Sequence, residues 1–278
     1  MCEFCIKHGE GKKWYLQTKN YAKELLNEER KKYITEFWEK FEESIAGEAG
    51  LATLDRLVAA NPAGAREIYS SVEEQMKQQH WGQIIPLEDV EQILERCVSI
   101  VRLPCACRVV IRGVYDARFC FGLATFKSDF WPKGVFEQWP DYSKDLEVLT
   151  KEEATKEFQK LDHQGLVHSV WTHGTPLISA ICNCTATDCL ALRMRLGVGL
   201  STCFKGEYVG AIDIEKCNGC RDCMKTCNFG AITYSASLRK CSINQLQCFG
   251  CGVCRAVCPS DAITLLDRNA IPALAKEW

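Results

Sequence analysis

The stretch CNGCRDCMKTC at residues 217–227 returns as CFGCGVCRAVC at residues 248–258. Both stretches space their cysteines as Cys-x2-Cys-x2-Cys-x3-Cys, and each cysteine reappears 31 residues later. The Ala-Ile-Thr at 231–233, behind the first stretch, also returns at 262–264. A repeat that matches in its cysteines and in its flanking residues indicates duplication of one structural unit. Strand-like residues around each stretch predict short two-stranded sheets beside the two loops.

The spacing within each stretch fits ligation of an iron–sulfur cube. Three thiolates at this spacing wrap a tight loop around one cube, and the fourth cysteine points away and binds the other cluster. The sequence therefore predicts two 4Fe–4S clusters with crossed ligands. The two predicted ligand sets are Cys217, Cys220, Cys223 and Cys258 for the first cluster, and Cys248, Cys251, Cys254 and Cys227 for the second. Zinc ribbons and buried structural thiols are the alternatives, but structural zinc usually takes its ligands as separated pairs.

Residues 209–266 resemble the bacterial-type ferredoxins that carry two 4Fe–4S clusters. The run DIEKCNGCRDCMKTC at 213–227 carries most of the likeness. The chain departs from the family at one position. Pro259 follows the last cysteine of the second run, as the family expects, whereas Asn228 stands at the equivalent place in the first run. The asparagine leaves the ligands intact but removes one φ constraint, and we expect altered hydrogen bonding near the neighbouring cluster.

Six further cysteines fall into two groups between residues 105 and 189. They are Cys105, Cys107 and Cys120 in the first group, and Cys182, Cys184 and Cys189 in the second. In a strand, residues i and i+2 share a face, so each Cys-x-Cys pair is predicted to present two thiolates to one side. Two such groups facing each other predict a further metal ion or iron–sulfur cluster, with the ligand subset open. Small apolar side chains in a core are the alternative.

The remaining cysteines are predicted to serve in two ways. Cys2, Cys5 and His8 have a spacing that lets two thiols and an imidazole share one metal ion, such as zinc or iron. A frayed terminus with incidental thiols is the alternative there. Three isolated cysteines are predicted to be buried, inert thiols: Cys97, Cys203 and Cys241.

The order of motifs along the chain carries a second resemblance. PCxCR at 104–108, CFG at 120–122, GLVH at 165–168 and ICNC at 181–184 follow one another. This order resembles a group of 4Fe–4S proteins of anaerobic microbes that carry a cysteine-rich domain ahead of a ferredoxin module. The resemblance implies redox work in an anaerobic cytoplasm.

Composition excludes several classes of protein. Apolar residues make up 47% and charged residues 25% of the 278, which is typical of a soluble globular chain and not of a disordered one. The net charge of −2 does not predict binding to nucleic acid. No apolar run reaches the ~18 residues of a membrane span. The first residues lack the pattern of a signal peptide, so the 19 cysteines predict metal or redox chemistry in a reducing cytoplasm.

We predict an α+β fold with two domains. Residues 1–205 are predicted to form a cysteine-rich, largely helical domain with a small β component, and residues 206–278 the ferredoxin domain. The i, i+4 apolar stripe from Tyr21 to Ile45 predicts one long helix over 14–46. Further predictions are helices over 64–80, 86–97 and 187–196, a capping box at Thr150, a β-rich segment over 98–111, a hairpin over 166–182 and a loop over 122–145.

The sequence predicts low-potential electron transfer to or from a partner redox enzyme or within a multi-subunit oxidoreductase. One alternative is an iron–sulfur reductase whose active metal site lies in the N-terminal domain. Another is a non-catalytic iron–sulfur regulatory or assembly subunit. The chain lacks the glycine-rich motifs of nicotinamide, flavin and P-loop sites, so it has no obvious two-electron acceptor of its own. This favours an electron-transfer protein over an enzyme that acts alone.

Overall fold

The computed structural model describes residues 3–8, 13–41, 51–127 and 146–278, without the side chains of His8, residues 51–55 and Val198. The described chain begins with helices, and its first strand starts at Gly82. The helices are α1 Glu3–His8, α2 Glu28–Glu39, α3 Leu51–Ala60, α4 Ala65–Gln79, α5 Leu87–Arg96, α6 Ala106–Arg112, α7 Lys151–His163, α8 Leu190–Arg193, α9 Asp222–Thr226 and α10 Val253–Ala256. Over the described ranges, no helix is long and apolar enough to cross a membrane.

A mixed sheet forms the centre of the N-terminal part. Its strands are β1 Gly82–Ile85, β2 Ser99–Leu103, β3 Cys120–Ala124, β4 Glu147–Val148, β5 Val167–Thr172, β6 Ile178–Cys184 and β7 Cys203–Phe204. In the described part of the chain these seven strands take the order β4-β2-β3-β6-β5-β1-β7. Only the β1–β7 pair among them is parallel. The fold combines helices and strands as predicted, but the β component is larger than the small one expected.

The central strands β5 and β6 are buried along almost their whole length. Continuous burial means that both faces of the sheet are covered, so the strands do not show the apolar–polar alternation that marks a half-exposed strand. Helices α5 and α7 cover one face, where Ile93 and Phe158 join the main core with Phe121 and Trp81. The Thr150 capping box that begins α7 is present as predicted.

The helix predicted over 14–46 begins only at Glu28. Residues 14–25 instead form three short 3-10 turns, and the side chain of Asn27 caps α2 by accepting a hydrogen bond from the Arg30 N–H. The physical reason is that the apolar stripe serves two cores. Tyr21 packs in the main core, whereas Ile34 packs in a separate cluster, so the chain turns between them. Residues 42–46 lie outside the described ranges.

The other predicted elements differ from the structure in one place that matters for the candidate site. The helix over 64–80 and the hairpin over 166–182 are confirmed by α4, β5 and β6. The β-rich segment over 98–111 is a strand only to Leu103, and Cys105 precedes helix α6, which ends at Gly113 in the left-handed region. Cys105 and Cys107 therefore do not form the strand pair that was predicted. The predicted loop over 122–145 overlaps β3, and its part from 128 onward lies outside the described residues.

Two small antiparallel sheets frame the repeated loops. Strand β8 Tyr208–Ile212 pairs with β11 Ile263–Asp267, and β9 Ile232–Ser235 pairs with β10 Lys240–Ile243. The first loop thus begins from one sheet and ends in the other, and the second loop does the reverse. This arrangement places the two loops side by side. The domain boundary between residues 205 and 206 stays a prediction.

The repeated glycine of each loop is required by a close approach. Gly219 and Gly250 stand at the same place in the two Cys-x-Gly-Cys segments, with φ of 73° and 72°. A Cβ would lie 2.2 Å from the Arg239 carbonyl oxygen in one loop and 2.0 Å from the Tyr208 carbonyl oxygen in the other. Only glycine adopts this conformation so close to another backbone without strain. The loops therefore wrap tightly against the neighbouring strands.

Candidate functional site

Two cavities lie beside the repeated loops, and each is lined by four cysteines of the predicted sets. The first encloses about 280 Å³ and is lined by Cys217, Cys220, Cys223 and Cys258. The second encloses about 360 Å³ and is lined by Cys227, Cys248, Cys251 and Cys254. In both cavities the fourth cysteine of one run joins three cysteines of the other run. The structure therefore brings together the residues of each predicted set, in the crossed order.

Backbone N–H groups point at the sulfur atoms from equivalent places in the two halves. The Ala231 N–H donates to Cys227 Sγ and the Ala262 N–H donates to Cys258 Sγ, both at 3.4 Å. Cys248 Sγ accepts from the Gly210 N–H at 3.3 Å and the Gly250 N–H at 3.4 Å. Such donors stabilise negative charge on sulfur, as thiolate ligands of an iron–sulfur cluster need. The donor sets and the glycine loops both fit a 4Fe–4S cluster in each cavity.

Protons and metal ions compete for these sulfur atoms. Burial raises the pKa of the Cys223 and Cys254 thiols to about 12. Burial also acts to raise the pKa of Cys258, but hydrogen bonds from Ala262 and Ser260 lower it below its usual value. At neutral pH the buried thiols keep their protons until a metal ion displaces them. Metal binding at this site is therefore coupled to proton release.

Two residues beside the cavities carried no recognised sequence signal. Cys241 is buried, lines the first cavity and forms a hydrogen bond with Cys223. Its burial agrees with the prediction, but its place beside a predicted ligand set depends on the pairing of β9 with β10. Arg268 is fully buried, and its guanidinium donates to the carbonyl oxygens of Gly206, Tyr208 and Cys248. It places a positive charge next to a predicted ligand of the second cluster.

The two cavities differ in their surroundings. Cys220 of the first cavity is exposed, whereas no predicted ligand of the second cavity is. The second cavity faces the N-terminal part, where the rings of Phe229 and Phe249 stack with centroids 4.0 Å apart. Phe249 and Cys251 belong to one hydrophobic cluster with residues of the central sheet and of α8, among them Ile84, Trp171, Cys184 and Cys189. The first cavity is thus on the outer side of the molecule and the second on the inner side.

Asn228, which departs from the ferredoxin pattern, joins the module to the N-terminal part. Its Oδ1 accepts a hydrogen bond from the Ala186 N–H at 2.9 Å, and its Nδ2 donates to the Gly165 carbonyl oxygen at 3.0 Å. Proline has neither group. The departure is therefore explained by docking of the module onto the chain's own N-terminal part. Arg255 of the module supports the same contact through an ion pair with Glu88, at 2.6 Å.

We expect an Asn228→Ala variant to keep its iron but to lose stability. Each of the two hydrogen bonds contributes about 0.5–1.5 kcal/mol, so the free energy of unfolding should fall by about 1–3 kcal/mol. Anaerobic calorimetry together with an iron assay measures both effects. Asn244→Ala is the matched control, because Asn244 is exposed and its side chain bonds only within its own turn. An unchanged thermal midpoint in Asn228→Ala would contradict the docking role.

The six cysteines of the N-terminal groups lie together. The Sγ atoms of Cys105 and Cys120 are 3.6 Å apart, and Cys120 and Cys182 are direct partners on β3 and β6. Cys189, which precedes α8, forms hydrogen bonds with Cys107 and Cys184. In the described ranges, no three His, Cys, Asp or Glu side chains are placed to hold a single metal ion, and this includes the cysteines of both cavities.

The predicted site at the start of the chain is only partly described. Cys2 and the side chain of His8 lie outside the described residues. Cys5 is buried in the main core and donates a hydrogen bond to Glu207 Oε1 at 2.8 Å. Cys5 is thus separate from the six-cysteine group. A metal site formed by Cys2, Cys5 and His8 stays a prediction.

Comparison with known proteins identifies the repeated segment. Residues 216–262 match the family model of the 4Fe-4S dicluster domain. The chain carries a ferredoxin-like module. The match covers both cysteine runs, which bears out the resemblance seen in the sequence.

Relatives of the module occur in larger oxidoreductases. The chain is 36% identical over 59 residues to the archaeal-type glutamate synthase (NADPH) of Thermotoga maritima, which is 21% of this chain and 12% of the relative. It is 43% identical over 61 residues to one of the subunits of the ion-translocating oxidoreductase complex of Methanosarcina acetivorans, 22% of each chain. It is 39% identical over 51 residues to indolepyruvate oxidoreductase subunit IorA of Pyrococcus horikoshii, 18% of this chain and 8% of the relative. The chain thus spans less than a quarter of each of these relatives.

Proposed function

We propose that this chain transfers single electrons at low potential, through two 4Fe–4S clusters, to or from a partner redox enzyme. The observation that carries the proposal is the crossed lining of the two cavities, each with four thiols at the spacing of a dicluster ferredoxin. Clusters held there supply one-electron transfer. The relatives that share the module are oxidoreductases or their subunits, which supports a partner of that class.

The residues around the two cavities differ, so we expect the outer and inner sides of the module to have different roles. The exposed Cys220 makes the outer cavity the side that a partner protein reaches. Phe229 and Phe249 line the inner cavity with two stacked apolar rings. The buried Arg268 favours added negative charge at the inner site through the Cys248 carbonyl oxygen, and Lys240 does the same at the outer site through the Cys217 carbonyl oxygen. A cytoplasmic location in an anaerobic organism completes the proposal.

A second candidate function is an iron–sulfur reductase. The observation that favours it is the group of six cysteines in the N-terminal part, which the module does not use. A substrate site there would take its electrons from the module. Turnover of a substrate by the isolated chain distinguishes this function from electron transfer alone.

The test of the proposed function is a reductive titration of the anaerobically purified chain. We expect about one electron per module cluster, and after dithionite reduction an EPR signal of two interacting 4Fe–4S centres. The reduced protein should then reduce a one-electron dye without any substrate. A Cys220→Ser variant should lose or degrade one of the two centres, whereas Cys97→Ser, at an isolated buried thiol, should keep both. Zinc in place of iron, or no EPR signal, would overturn the proposed function.

A further inference from the structure

The six N-terminal cysteines come from four different elements and converge on one place. Cys105 and Cys107 lie at the start of α6, Cys120 on β3, Cys182 and Cys184 on β6, and Cys189 just before α8. They form two groups of three, in each of which one thiol contacts the other two. One group is Cys105, Cys120 and Cys182, and the other is Cys107, Cys184 and Cys189. Cys105 and Cys107 are two residues apart at the start of α6, and Cys182 and Cys184 are two residues apart on β6, so the chain joins the two groups at two points.

Positive charge and N–H donors surround these thiols. The Arg108 side chain is 8% exposed, and its Nη1 lies 3.5 Å from Cys105 Sγ. Asp188 pairs with Arg108, but it also pairs with Arg112, so one carboxylate faces two guanidinium groups. A net positive charge therefore remains beside the sulfur atoms. A packed core of neutral thiols does not need such a charge, and Asp188 compensates it only in part because it also pairs with Arg112.

Backbone donors point at thiols of both groups. The Phe119 N–H donates to Cys105 Sγ at 3.0 Å. Hydrogen bonds from the backbone of Leu190 and Leu192 reach Cys107 and Cys189 and act to lower their pKa. The same kind of donor reaches Cys227 and Cys258 in the module. Burial and the neighbouring thiols nevertheless raise the pKa of all six cysteines, so these N–H donors offset only part of the cost of a thiolate until a metal ion displaces the protons.

We propose that the six cysteines form the site of a third iron–sulfur cluster, with four of them as thiolate ligands. A cube held by four thiolates carries a net negative charge, which the Arg108 guanidinium offsets. The centre gains or loses one electron without making or breaking a covalent bond to the protein.

The third site lies next to the inner cavity of the module. Ala186, whose N–H donates to Asn228, belongs to the loop between Cys184 and Cys189. Asn228 directly follows Cys227, which lines the inner cavity. Cys184 and Cys189 also share a hydrophobic cluster with Cys251. The sites therefore follow one another from the outer cavity to the inner cavity to the six cysteines, and the proposed function supplies the electrons for the third.

The experiment counts iron and acid-labile sulfide in the unaltered chain and in three variants, all prepared anaerobically. The unaltered chain should hold about twelve of each, against about eight for the module alone. The variants Cys105→Ala/Cys120→Ala/Cys182→Ala and Cys107→Ala/Cys184→Ala/Cys189→Ala each leave three thiols, too few for four ligands. Both should lose about four irons and keep the interacting EPR signal of the module. Cys97→Ala/Cys203→Ala, which removes two buried cysteines elsewhere, is the control and should lose none.

The outcomes separate the third site from the module. About eight irons in the unaltered chain, equal iron in all variants, zinc at the site, or disulfides among the six cysteines would each overturn the third cluster and leave the proposed function intact. Absence of the module's interacting EPR signal from the unaltered chain would overturn the proposed function instead. If the triple variants do not fold, Mössbauer quantification of 4Fe–4S centres in the unaltered chain decides between two and three.

Discussion

A Cys227→Ala variant is expected to lose the cluster held by the second cysteine run and to keep the cluster held by the first. The reason is the crossed lining of the cavities. Cys227 lines the inner cavity with Cys248, Cys251 and Cys254, although it stands in the first run. Without it, one iron of that cube has no protein thiolate, so about four irons should be lost. Because cluster binding supports folding, the inner half of the module should also lose stability.

Alkylation of the native protein under anaerobic conditions, followed by mass spectrometry, checks this prediction. In Cys227→Ala the cysteines that become reactive should be Cys248, Cys251 and Cys254, whereas the four that line the outer cavity should stay protected: Cys217, Cys220, Cys223 and Cys258. Cys241→Ala is the matched control, because it also removes a buried thiol of the module but leaves both predicted sets whole. Reactive cysteines in the first run instead would contradict the crossed assignment.

The Asp89→Ala variant is expected to lose about 3–5 kcal/mol of unfolding free energy, the usual cost of breaking a buried ion pair. Asp89 on α5 is fully buried and accepts hydrogen bonds from Tyr15 at 2.6 Å, Lys13 at 2.8 Å and Tyr208 at 3.2 Å. Tyr208 begins strand β8 of the module. The substitution therefore breaks a contact that joins three parts of the chain. It also leaves the partly buried ammonium group of Lys13 without its carboxylate partner.

Anaerobic denaturant unfolding measures this loss, with Glu95→Ala as the control because Glu95 is exposed on the same helix.

The stability that the Lys13–Asp89 ion pair contributes also depends on pH. Burial acts to lower the pKa of Lys13, but hydrogen bonds to Asp89 and Tyr208 raise it above its ordinary value of 10.5. A raised pKa in the folded state means that stability is present below pH 10.5 and is lost as the pH rises beyond it. The difference in unfolding free energy between the unaltered chain and Asp89→Ala should therefore decrease at alkaline pH. A difference that stays constant with pH would exclude Lys13 as its source.

Local patterns predicted the features that depend on neighbouring residues. Thr150 and Glu153 lie three residues apart, so they form the capping box of α7 wherever that helix packs. Likewise, the cysteine spacing and the glycine of each loop impose a tight turn that needs no distant partner. The same patterns failed where two cores compete for one apolar stripe. Tyr21 and Ile34 lie on opposite sides of a chain turn that their helical spacing does not show.

Distant pairing decided the rest of the candidate site. Cys105 and Cys107 were predicted to share one face of a strand, but they reach the six-cysteine group from the start of α6. Only the register of β3 on β6 places Cys120 opposite Cys182. Arg268 lies 20 residues beyond Cys248 and reaches its carbonyl oxygen through the pairing of β8 with β11. No short motif records such contacts.

The sequence by itself therefore determined the two cysteine runs and the ferredoxin-like character of residues 216–262, and it predicted the crossed ligand sets. These follow from covalent spacing, which holds in any surroundings. Only the tertiary structure decided which way the module faces, with Cys220 outward and Asn228 bound to Ala186. It also decided that six scattered cysteines share one place. These features depend on packing between elements that lie far apart in the chain, and packing is set by the whole fold at once.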